Sequence, residues 1–195
     1  MNYYISDTHF CHKNIMRYDS RPWNDVVEME LDMIDWWNAK VSDNDDIYII
    51  GDFCWGDAND WKRILPKLKG RKHLILGNHD AKALREDVSS LFAEKPTHYK
   101  EIKDGEYKIV MSHYPMISYH NDTDANTLMF YGHVHGTLEF DAVMESVKTM
   151  KECCRAVALD YRGRLYNCWC GLYGWTPATL MEILTNKYSH GSKKI

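Results

Sequence analysis

Five short apolar runs in this chain each end directly on a side chain able to bind a metal ion. Tyr3-Tyr4-Ile5 leads to Asp7-Thr8-His9, Ile47-Tyr48-Ile49-Ile50 to Gly51-Asp52, and His73-Leu74-Ile75-Leu76 to Gly77-Asn78-His79-Asp80. Tyr107-Lys108-Ile109-Val110-Met111, preceded by the turn signal Asp104-Gly105, leads to Ser112-His113. Leu128-Met129-Phe130-Tyr131 leads to Gly132-His133-Val134-His135-Gly136. Short runs rich in Ile, Tyr and Val read as buried strands. In open α/β sheets, sites gather at the carboxyl ends of strands. If the five strands share a sheet, Asp7, His9, Asp52, Asn78, His113, His133 and His135 reach one rim.

Helix-period segments separate the strands, so the class is α/β. Val27, Leu31, Ile34 and Val41 mark one amphipathic stretch, and Trp61, Ile64, Leu65 and Leu68 another. Glu139 to Arg155 reads as helical, with a less clear pattern. Thr176-Pro177 reads as an N-cap and first helical position, continued by Leu180, Ile183 and Leu184. Trp36, Trp37 and Trp61 fall on these patterns and are assigned to the core. With 195 residues and no repeat, low-complexity tract or linker, the chain is read as one domain over 1–195.

The residue types suit one kind of chemistry. Hydrolysing a phosphate ester at neutral pH needs an oxygen nucleophile and neutralisation of charge on the phosphoryl oxygens, and two metal ions supply both. A carboxylate can bridge the ions and neutral imidazoles can complete each shell. An Asn oxygen adds a ligand without adding charge. Glycines at 51, 77 and 132 let the backbone turn sharply beside the ions.

The ordered set Asp7-Thr8-His9, Gly51-Asp52, Gly77-Asn78-His79-Asp80, His113 and Gly132-His133-Val134-His135 resembles the calcineurin-like metallophosphoesterases. The opening Ser6-Asp7-Thr8-His9-Phe10-Cys11-His12-Lys13-Asn14-Ile15 is similar to a small bacterial and phage branch, as is the tail from Leu165-Tyr166-Asn167 through Gly174-Trp175-Thr176-Pro177; the resemblance covers residues 1–136 and, more loosely, 163–184. The resemblance implies a four-layer α-β-β-α sandwich with two mixed β-sheets. It implies hydrolysis of phosphomonoesters or phosphodiesters at a dinuclear centre by a metal-bridging hydroxide. Asp7, His9 and His135 would hold one ion and Asn78, His113 and His133 the other, with Asp52 between them. His79 would act as general acid at the leaving oxygen and Asp80 would orient it. The cofactors implied are two divalent ions, Mn²⁺ first and Fe or Zn²⁺ as alternatives. Two departures stand out: Cys11 occupies a position where this branch carries Gly, and Asn167-Cys168-Trp169-Cys170-Gly171 replaces a smaller, more apolar pattern.

Beyond the ligands, Asn14, Arg17 and Arg21 are candidates for contact with the substrate phosphate, Arg being suited to bidentate phosphate binding. His12 and Lys13 stand beside them, and Trp55 is a candidate border of the pocket. His73, His98, His120 and His190 are assigned no role. The partner implied is a phosphate-ester substrate, small molecule or nucleotide. A net charge of −4 gives no global basic field for a nucleic-acid backbone, which disfavours a nuclease using the same site. A non-catalytic scaffold is disfavoured because every motif position is filled. No signal peptide or membrane-length apolar stretch is read, and six cysteines without C-x-x-C spacing suit reduced thiols, so the expected location is cytoplasmic.

Overall fold

A computed structural model describes residues 1–186; His190 lies outside them. The elements run β1 (Asn2–Ile5), α1 (Ile15–Tyr18), α2 (Val26–Lys40), β2 (Asp46–Ile50), α3 (Ala58–Ile64) and β3 (Arg71–Ile75). After α4 (Glu86–Ser89) come β4 (Lys100–Asp104), β5 (Tyr107–Met111), β6 (Thr127–Tyr131), α5 (Leu138–Ala156), β7 (Leu165–Asn167), β8 (Ala178–Thr179) and α6 (Leu180–Thr185).

The five strands expected from sequence all form, but they divide between two sheets rather than sharing one. One sheet has the order β3-β2-β1-β8, with β8 antiparallel to β1 and the rest parallel. The other has the order β4-β5-β6-β7, with β4 antiparallel to β5 and the rest parallel. Both sheets are therefore mixed. Alternation along each strand explains why they stack. Tyr4, Tyr48, Ile50 and Ile75 from the first sheet meet Ile109, Met111, Leu128 and Phe130 from the second in one core. The opposite faces, through Tyr3, Ile5, Ile47 and Ile49, pack on Met29, Met33, Trp37, Trp61 and Ile64 of α2 and α3. Val110, Met129 and Tyr131 pack on Phe140 and Val147 of α5. A strand buried on both faces reads as a continuous apolar run, as these do. The layers are helix, sheet, sheet, helix.

Several local expectations change. Asp25 caps α2 by accepting from the N–H groups of Val27 and Glu28. The helix buries Met29, Met33, Ile34 and Trp37, while Val27, Leu31 and Trp36 are exposed. The buried stripe follows the Met29-Met33-Trp37 spacing of four, which the branched residues obscured. Burial of Trp37 and Trp61 contributes on the order of 4–6 kcal/mol each. The capping residue of α6 is Thr179, not Thr176: Thr179 and Glu182 form a reciprocal capping box. Tyr3 and Tyr4 of β1 pair with Thr179 and Ala178, so the chain must stay extended there and the helix starts later.

The sheets are tied together at their carboxyl ends. Ser6 N–H donates to the Cys168 carbonyl at 2.9 Å, and Cys170 N–H donates to the Ser6 carbonyl at 3.1 Å. Two separate sheets thereby present their strand ends to one rim.

Candidate metal centre

The turns after β1, β2, β3, β5 and β6 carry the candidate ligands. Asp7, His9, Asp52, His133 and His135 all have positive φ, between 46° and 70°. Left-handed backbone costs a non-glycine residue roughly 1–3 kcal/mol, and such strain clusters at functional sites. The surroundings hold it in place. Asp7 N–H donates to the Gly51 carbonyl and His9 N–H to the Asp52 carbonyl, both at 3.0 Å. The Asp7 carboxylate accepts from His133 N–H at 3.1 Å, joining the two sheets across the site. Close approach also dictates two glycines. A Cβ on Gly77 would lie 2.3 Å from Asp52 Oδ1, and one on Gly51, at φ +83°, would lie 2.2 Å from His113 Nδ1.

Two groups of donor atoms result: Asp7, His9 and His135, and Asp52, His113 and His133, each converging within 4.8 Å. In the first, His135 Nε2 lies 3.3 Å from Asp7 Oδ1 and 3.2 Å from His9 Nε2. In the second, His113 Nε2 lies 3.5 Å from Asp52 Oδ2 and 3.2 Å from Asn78 Oδ1. The groups share an edge, since Asp52 Oδ2 is also 3.8 Å from His9 Nε2. A carboxylate so placed can face two ions at once.

Hydrogen bonds fix which ring nitrogen faces inward. His113 Nδ1 donates to the Ile50 carbonyl at 2.9 Å, and His135 Nδ1 donates to Asp19 Oδ1 at 2.5 Å. Each bond leaves Nε2 facing the carboxylates. Burial pulls the His135 pKa down, but the Asp19 and Asp7 carboxylates outweigh it and raise it to about 10. The same opposition, with Asp52 as the main partner, raises His113 to about 9. His9 goes the other way: burial lowers it to about 3. Burial opposes ionisation of Asp7 and Asp52, yet His135 and His113 respectively hold their carboxyls below the ordinary range. A cluster of imidazole nitrogens and carboxylate oxygens converging at two points could hold divalent cations, which would displace the protons from the inward Nε2 atoms.

The remaining expected residues separate. His79 stands at the rim, with Nε2 3.8 Å from Asp52 Oδ2. Asp80 does not reach His79. Its carboxylate accepts from the N–H groups of Asp52 at 2.8 Å, Phe53 at 3.0 Å and Gly77 at 2.9 Å, fastening the β2 and β3 turns together. Arg21 is not free for substrate. It is buried, donating to the carbonyls of Asp7 at 2.9 Å and Thr8 at 2.8 Å and to Asp19. Its charge therefore stiffens the turn that carries Asp7 and His9. Arg17 is exposed on α1 and lies outside the cavity over the site, whereas Asn14 lines it.

Asp19, not singled out from sequence, and the two departures noted there complete the picture. Asp19 holds His135 and Arg21 together. Trp169 stacks on the His135 ring at 5.8 Å and 16°, so the tail does reach the site. Cys11 has φ +63°, the backbone a glycine would adopt there. All six cysteines are free thiols, and none falls in either donor group among the described residues. No helix among the described residues is long and apolar enough to cross a membrane.

Comparison with known proteins adds the lineage. The family model for calcineurin-like phosphoesterases matches residues 3–137. An uncharacterised protein of Methanocaldococcus jannaschii is 36% identical over 135 residues, covering 68% of each chain. The Gene 66 protein of Mycobacterium phage L5 is 24% identical over 162 residues, 70% of this chain and 78% of its own. Among solved structures, a protein of unknown function from Aquifex aeolicus superimposes with a TM-score of 0.69 at 28% identity, over 94% of this chain and 97% of its own.

Proposed function

The chain belongs to the calcineurin-like phosphoesterase family, and from that premise we propose that it hydrolyses phosphate monoesters or diesters at a centre holding two divalent ions. One observation carries the reading: Asp52 Oδ2 stands 3.5 Å from His113 and 3.8 Å from His9, between the two donor groups. Asp7, His9 and His135 would hold one ion, and Asn78, His113 and His133 the other. When bound, the ions supply Lewis acidity to the phosphoryl oxygens and lower the pKa of an attacking water.

The protein's own residues do the rest. Asp19 and the Ile50 carbonyl keep His135 and His113 in the tautomers that leave Nε2 free. Arg21 and Asp80 hold the ligand turns rigid, so little reorganisation accompanies reaction. His79, at the rim and partly exposed, donates a proton to the departing ester oxygen. The cavity over the site has neither Lys nor Arg among its lining residues, while Asp19, Asp52 and Glu139 line it. That lining does not suit a long polyanion and supports a small ester over a nucleic-acid strand.

The test is hydrolysis of bis-p-nitrophenyl phosphate and p-nitrophenyl phosphate by metal-stripped protein, with and without Mn²⁺. Activity restored by the ion and lost in Asp52→Asn and His79→Ala supports the reading. Folded protein inactive on both esters with Mn²⁺, Zn²⁺ and Fe²⁺ would remove it.

A further inference from the structure

The mouth of the site is built from exposed aromatic rings. Trp55, in the turn after Asp52, is 44% exposed and lines a cavity of about 440 Å³ together with His79, His133 and His135. Its ring stacks on His12 at 4.1 Å and 12°, and lies 4.4 Å from the His79 ring. Tyr18, 69% exposed, lines the same cavity. On the other flank Tyr114 is 48% exposed, with its ring 4.6 Å from His133 and its hydroxyl 3.5 Å from Asn78 Oδ1.

These rings are not the edge of a core. The fold buries Trp37 and Trp61 fully, whereas Trp55 keeps its ring at the mouth although its backbone is fixed. Its N–H donates to the Phe10 carbonyl at 2.8 Å, and the neighbouring Cys54 pairs with Phe10. A rigid, exposed indole beside the general acid costs little entropy when a planar group packs against it. A ring offers a face to any base or aryl group without reading hydrogen bonds, at about 1–3 kcal/mol per stacked base. The lining supplies no Lys or Arg for further phosphates, which disfavours a polyanionic group beyond the reacting phosphate.

We propose that the substrates are phosphate esters bearing a planar aromatic group of nucleoside size, which packs on Trp55 while the phosphate sits at the Asp52-centred donor groups. This rests on the phosphoesterase reading above and narrows it.

The test is binding, by calorimetry, to Mn²⁺-loaded protein. Three probes are compared: inorganic phosphate, the 5′-methylenephosphonate analogue of AMP, and the matching analogue of ribose 5-phosphate, whose P–C bonds resist hydrolysis. The adenosine analogue is expected to bind at least about fivefold more tightly than the ribose analogue. Trp55→Ala should bring that ratio close to one and Trp55→Phe should keep most of it. Trp36→Ala, at an exposed Trp that does not line the cavity, should leave the ratio at the wild-type value. Using a ratio within each protein cancels any loss common to both probes. Equal binding of the two analogues in the wild type, or a ratio unchanged in Trp55→Ala, overturns the aromatic class while phosphate binding leaves the phosphoesterase reading standing. If inorganic phosphate itself fails to bind the loaded protein, both readings fall together.

Discussion

The carboxylate of Asp19 lies 2.5 Å from Nδ1 of His135, and that contact fixes which nitrogen of the ring faces Asp7. The other Asp19 oxygen accepts from Arg21, whose guanidinium also grips the Asp7 and Thr8 carbonyls. Candidate ligand, positioning acid and backbone turn are thus one unit. Carboxylate partners of metal-binding histidines commonly contribute 10–100-fold to metal affinity. Asp19→Asn, whose amide can donate to Nδ1 and favour the wrong tautomer, is expected to weaken Mn²⁺ binding by about that factor in calorimetry. Unchanged affinity would mean that stacking on Trp169 alone orients the ring.

Asp80 gives a second prediction, one that separates two roles. Burial pushes its pKa up to about 6, against three backbone N–H donors that favour the ionised form. Asp80→Asn keeps the shape but turns an NH₂ toward a backbone N–H. Leaving such a buried donor unmatched costs about 2–3 kcal/mol, a fall in Tm of roughly 5–10 °C for a chain of this size. If Tm holds and only kcat falls, Asp80 acts through His79 after all.

Much of this was legible in the residues. The candidate donor residues could be read from the sequence because each follows a short apolar run, and strand ends are where sites collect. That rule survives the division into two sheets, since Ser6 and Cys168 stitch the sheets at that end. What the sequence hid depended on distance in the fold. Asp19 meets His135 across 116 positions, and nothing local marks the pair. Asp80, beside His79 in sequence, points instead to turns 27 and 28 positions away. Arg21 has the chemistry of a phosphate binder, and only burial reveals that backbone carbonyls occupy it. Val27 and Leu31 mimic a core stripe because an apolar residue on a helix surface looks the same in sequence as one inside.

The end of α5 offers a stability test remote from the site. Leu159 N–H donates to the Cys154 carbonyl at 2.9 Å and Ala158 N–H to the Arg155 carbonyl at 3.2 Å, the paired bonds of a Schellman cap. Ala158 occupies the left-handed position, at φ +59°, where glycine carries no Cβ penalty. Ala158→Gly should stabilise the fold by about 0.5–1 kcal/mol, raising Tm by roughly 1–4 °C. A lower Tm would mean that the cap tolerates alanine without strain.

The last prediction concerns pH in protein stripped of metal. Burial lowers His113 and His135, but Asp52 for the first and Asp19 with Asp7 for the second raise them to about 9 and about 10. Unfolded histidine titrates near ~6.5. Between that value and 10 the folded chain holds more protons than the unfolded one, so its stability falls as pH rises. The contribution is fully present below about 6.5 and is lost through 9 and then 10. Asp7 and Asp52 act in the opposite sense: with depressed pKa values they stabilise above the ordinary range near ~4 and stop doing so in acid. Burial lowers His9 to about 3, so the folded ring stays neutral while the unfolded one charges, and stability also falls as pH drops below ~6.5. The chelated protein should therefore melt highest near about pH 6.5 and lose Tm on both sides, steadily toward pH 10. A divalent ion that takes Nε2 displaces the proton, so affinity for Mn²⁺ should rise about tenfold per pH unit for each ion between pH 6.5 and 9. Melts with chelator and with Mn²⁺ across pH 5–10 read both slopes. A chelated protein whose Tm is flat from pH 6.5 to 10 would mean that these rings fold neutral, and the charged pairs with Asp52 and Asp19 would not exist without metal.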